Sequence, residues 1–86
     1  MAAQNAHDVQ FQADLAQIRR MSERKVVSKG EEIYQIYMEL EAISHQRPLT
    51  GIEVAHSDWC VAILNALQQR MEVIYHEQAR SHGGRR

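Results

Sequence analysis

The stretch SKGEEIYQIYMELEAISHQRPLTGIEVAH, residues 28–56, decides the fold. It holds two Ser/Thr-x-x-Glu elements, Ser28-Lys29-Gly30-Glu31 and Thr50-Gly51-Ile52-Glu53. In such a capping box each side chain bonds the other residue's free backbone N–H, so each element predicts a helix start. After Ser28 the apolar residues Ile33, Ile36, Tyr37, Leu40 and Ile43 recur at steps of three and four, the stripe of an amphipathic helix. Pro48 disfavours helical geometry at Arg47, so His45–Leu49 reads as a short loop, and a loop that short makes its flanking helices antiparallel neighbours.

Outward from this hairpin, the second helix is expected from Thr50 to about Arg80, and the run Trp59–Leu67 is apolar nearly all the way round it. A helix of that length overhangs one running from 28 to 45, and Val73 and Ile74 fall on the overhang and require cover. Upstream, Phe11, Leu15, Ile18 and Met21 form a third stripe, which predicts a helix over 6–24, with Arg19, Arg20, Arg24 and Lys25 complementing its C-terminal end. Residues 81–86, SHGGRR, offer nothing to bury and are expected to form a mobile tail. No Asn-Gly or Asp-Gly hairpin signal occurs. The expected fold is all-α: one small helical domain, 1–86, with an antiparallel helical hairpin plus an N-terminal helix, completed as a dimeric bundle.

Composition agrees with a globular chain: 86 residues, 44% hydrophobic and 24% charged. A core built from so short a chain is thin, which favours oligomerisation. Cys60 is the single cysteine, so an intrachain disulfide is excluded. Met1–Asp14 lacks the apolar run of a secretory signal, and no apolar run approaches the length of a bilayer span, so a cytoplasmic location without membrane contact is expected. The formal charge of −1 argues against a dedicated nucleic-acid binder. The basic run from Arg19 to Lys25 keeps a small DNA-binding regulator as an alternative, although Glu31, Glu32, Glu39 and Glu41 on the next helix would repel phosphates.

Glu53-Val54-Ala55-His56 places a carboxylate and an imidazole three residues apart on one helix face. The element resembles the Glu-x-x-His of ferritin-like di-iron bundles. That resemblance implies a dimeric metal-binding protein in which Glu53 and His56 are ligands and Glu39 or Glu41 supplies a further carboxylate. Against that resemblance, Glu53 is already explained as the capping-box residue, and a ligand in the first turn of a helix would lie at the edge of a bundle, not in its middle. His56 and Cys60 share a face, but a cysteine inside an apolar helix reads first as a small buried side chain. Ser57 and Asp58 beside His56 point in different directions and make no triad. The reading therefore assigns no catalytic, cofactor or metal residue. It assigns a non-catalytic interaction module, such as an adaptor, a secretion-type chaperone or an antiactivator, that binds a protein partner or its own copy through Trp59, Ile63, Leu64, Leu67, Met71, Ile74 and Tyr75.

Overall fold

The computed structural model describes residues 5–83, with side chains over 9–80. These residues form three helices and no strand: α1 (Asn5–Ile18), α2 (Glu23–Ser44) and α3 (Gly51–Gly83). Helices α2 and α3 are the antiparallel hairpin expected from the short loop at Pro48, and α1 packs chiefly on α3. The Cα trace measures 57 × 35 × 14 Å, a thin slab with a correspondingly small core.

The second capping box forms as its sequence requires. The Thr50 N–H donates to Glu53 Oε1 at 2.9 Å, and the Glu53 N–H donates to Thr50 Oγ1 at 3.2 Å. The first does not. Helix α2 runs straight through Ser28-Lys29-Gly30-Glu31 and starts six residues earlier, at the N-cap Ser22, whose Oγ accepts from the Lys25 N–H at 3.3 Å. The physical reason is burial: Val26 is a core residue, and a helix beginning at Ser28 would leave it outside the packed stripe. The same early start ends α1 at Ile18 instead of Arg24. Arg19 and Arg20 form a turn, Met21 lies outside the helix, and Arg70 Nε donates to the Met21 carbonyl at 2.9 Å, tying that turn to α3. The break folds α1 back so that Ile18 and Val26 enter one core with Ile33, Cys60, Ile63 and Leu67.

The longer α2 also covers what was expected to overhang. Glu23, at its first turn, accepts from Gln78 Nε2 at 3.3 Å, so α3 is accompanied almost to its end. Ile74 is consequently 8% exposed, whereas Val73 stays exposed beside α1. The α3 helix continues to Gly83, past the expected end at Arg80; the rest of the expected mobile tail, 84–86, lies outside the described residues.

Candidate interaction surface

Helix periodicity sorts α3 into a buried line and an open one. Cys60, Ile63, Leu67 and Ile74 point into the chain's own core. Rotated away from them, Val54, Val61, Gln68 and Tyr75 stand seven residues apart, with Ser57, Leu64 and Met71 between, the a/d spacing of a coiled-coil seam. Val54, Val61 and Tyr75 are exposed, while Leu64 and Met71 are half-buried against the core. On α2, Val27, Tyr34 and Met38 follow one another at steps of seven and four, and all three are exposed.

These two stripes lie on the same side of the hairpin. The helices meet along the buried line Val26, Ile33 and Leu40 on α2 and Cys60, Leu67 and Ile74 on α3, and Glu23 bonds Gln78 across its edge. From that line the open stripe is reached by stepping one residue forward along either helix: Val26 to Val27 and Ile33 to Tyr34 on α2, Cys60 to Val61, Leu67 to Gln68 and Ile74 to Tyr75 on α3. In an antiparallel pair the same forward step turns clockwise on one helix and counter-clockwise on the other, so both stripes arrive on one face. Stepping one residue backward leads instead from Leu67 to Ala66 and from Ile74 to Val73, where Leu15 and Ile18 of α1 sit. One side of the hairpin thus carries α1, packed on α3, and among the described residues nothing lies on the other over about 30 Å from Val54 to Tyr75. Tyr34 and Tyr75, each 54% exposed, are its largest open side chains.

The expected interface residues divide accordingly. Ile63, Leu67 and Ile74 are buried in the chain's own core; Trp59 is half-buried, with its ring 5.7 Å from that of His56. Leu64, Met71 and Tyr75 belong to the bare face. Sequence reasoning passed over Val27, Tyr34, Met38 and Val61, although the heptad interval from Val54 through Val61 to Tyr75 is visible in the sequence itself.

The polar candidates are occupied locally. Arg47 grips Glu53 with two bonds of 2.9 Å, Nη1 to Oε1 and Nη2 to Oε2. This guanidinium, aided by the Thr50 N–H, lowers the Glu53 carboxyl to about 2. Both Glu53 oxygens are therefore engaged in holding the loop to the start of α3. Among the described residues no three His, Cys, Asp or Glu side chains are grouped to hold a metal ion. Cys60 is fully buried, and burial raises its thiol pKa, the opposite of an activated thiolate. No helix among the described residues is long and apolar enough to cross a membrane. Neither a family model, a curated protein nor a solved structure matches the chain.

Proposed function

We propose that the protein is a non-catalytic helical interaction module that works by laying the bare side of its hairpin against another protein. The observation that supports this reading is the one-sided cover: α1 shields one side of the hairpin, while Val27, Tyr34, Met38, Val61 and Tyr75 stay in solvent on the other. Exposed apolar side chains scattered singly need no explanation, but a contiguous two-helix face bearing two tyrosines and two methionines has the composition of an interface core. An adaptor, a chaperone or an antagonist that occupies a partner's assembly surface would each use such a face. Docking onto it would supply the layer that so thin a slab lacks.

The test is a charge in the middle of the face. Val61→Asp should abolish association, followed as sedimentation mass and as capture of a defined partner, while far-ultraviolet circular dichroism stays that of the parent. Unchanged association would remove the face from the proposal. A collapse of helicity would mean that Val61 supports the fold instead.

A further inference from the structure

The charged side chains of the hairpin are divided unevenly between its two sides. Along α2, Glu23, Glu31 and Glu41 interleave with Val27, Tyr34 and Met38 at steps of three and four and so share the bare face. On α3, Asp58 and Glu72 follow Val54 and Gln68 by four residues and border the open stripe on its outer edge. Arg24 is the nearest arginine, at the rim of α2, and His45 at the helix end stands 3.9 Å from Glu41. Lys25 and Lys29 fall on the α1 side together with Glu32, which lies 3.9 Å from Lys29, and with Glu39; there Arg19 lines the cleft between α1 and α3, and Arg70 is tied to the Met21 carbonyl, so both signs are mixed on that side. The chain's formal charge is only −1, so an acidic bare face arises from how charges are distributed, not from an excess of them.

From this we infer that the bare face takes a basic amphipathic helix of a partner protein, its apolar stripe lying between α2 and α3 and its lysines or arginines meeting Glu31, Glu41, Asp58 and Glu72. The inference rests on the reading of this face as the interaction surface and adds the partner's chemistry to it. Two antiparallel helices offering side chains at helical spacing form the groove into which a third helix packs, and about 30 Å accommodates roughly 20 residues of one. A second copy docked face to face would set the acidic rims against each other, an arrangement that like-charge repulsion disfavours. Acidic rims opposite basic flanks instead steer the encounter and fix which helix is accepted.

The probe is a fluorescent peptide of about 20 residues with leucines at heptad a and d positions and lysines at the flanks, alongside a counterpart carrying glutamates in place of the lysines, both titrated by anisotropy against the whole protein. The lysine peptide should saturate, the glutamate peptide should bind at least about tenfold more weakly, and added salt should weaken the former. Charge reversal at Glu31→Lys with Glu72→Lys, both solvent-exposed positions whose retained helicity circular dichroism can verify, should cost about tenfold or more, while Lys25→Glu on the other side should change little. Equal binding of the two peptides, lost in Val61→Asp, would overturn the charge preference and leave the face as an interaction surface. Sedimentation at twice the monomer mass, reversed by Val61→Asp, would make a second copy the occupant and overturn the inference in another way. Lysine-peptide binding indifferent to Val61→Asp, or no saturable binding at all, would overturn it as well, and indifference to Val61→Asp would also count against the face itself.

Discussion

Gly30 lies in the interior of α2, eight residues from its N-cap, and faces Leu67 of α3. A glycine at an interior helical position costs about 0.8–1.0 kcal/mol relative to alanine, because it gives up more backbone freedom on folding. Whether alanine recovers that amount depends on the space available. A Cβ built at Gly30 would lie 4.0 Å from Leu67 Cδ1, ordinary van der Waals contact, so the methyl meets no obstacle and gains a little dispersion energy. Gly30→Ala should therefore stabilise the protein by about 1 kcal/mol. Against a total stability of roughly 4–13 kcal/mol for a chain of this length, that is a visible fraction, and it should raise the melting temperature by about 4–8 °C. Thermal circular dichroism reads the shift directly, and urea unfolding should show a higher midpoint at unchanged slope. A fall in melting temperature would mean that α2 and α3 approach each other more closely at this point than the contact with Leu67 indicates. No change at all would place Gly30 at a helix start, as the Ser28 capping box suggested, where glycine is tolerated.

Three further outcomes follow from the core and the cap. Because Arg47 holds the Glu53 carboxyl down to about 2, below its ordinary 4.5, the stabilisation from this pair is complete above pH 4.5 and lost as pH falls toward 2; Glu53→Gln should lack that part of the acid-induced loss in thermal melts taken across the range. A Glu53→Gln melt with the parent's acid dependence would show that the pair contributes nothing to folding. Cys60 should resist alkylation by iodoacetamide in the native protein and react promptly in urea, since its thiol is both buried and harder to ionise; rapid native labelling would mean that the core opens locally. Ile74→Asp should unfold the chain, as an unpaired carboxylate in the core costs several kcal/mol, whereas Val61→Asp on the bare face should stay within about 0.5 kcal/mol of the parent by urea titration. Equal effects of the two would contradict the assignment of one to the core and the other to the surface.

The hairpin was legible because its decisive signals are local. Thr50 and Glu53 satisfy each other within one turn, Pro48 acts on its immediate neighbour, and the stripe from Ile33 to Leu40 requires only that some second helix be present. The start of α2 was not legible for the opposite reason. Ser22 and Ser28 are both competent N-caps, and the Glu at position 31 makes Ser28 the stronger local candidate; what favours Ser22 is the burial of Val26 against a helix some forty residues further along the chain. Tertiary burial of one valine outweighs a cap worth about 1 kcal/mol.

That single displacement also explains why Ile74, placed on an overhang by the sequence, lies in the core. With α2 beginning at Ser28, Ile74 had no intramolecular neighbour and appeared to need a partner; with α2 beginning at Glu23, Glu23 reaches Gln78 and Ile74 becomes core. The apolar excess of α3 remains, yet it resolves by angle instead of by length. Residues that step from Cys60 through Ile63 and Leu67 to Ile74 are enclosed, and those that step from Val54 through Val61 to Tyr75 are not. An overhang would have presented a partner with the end of one helix, a small target of any orientation. A two-helix face running the length of the hairpin presents instead a directional surface with acidic margins, and in the proposed reading such a surface would discriminate among helices by the charge of their flanks.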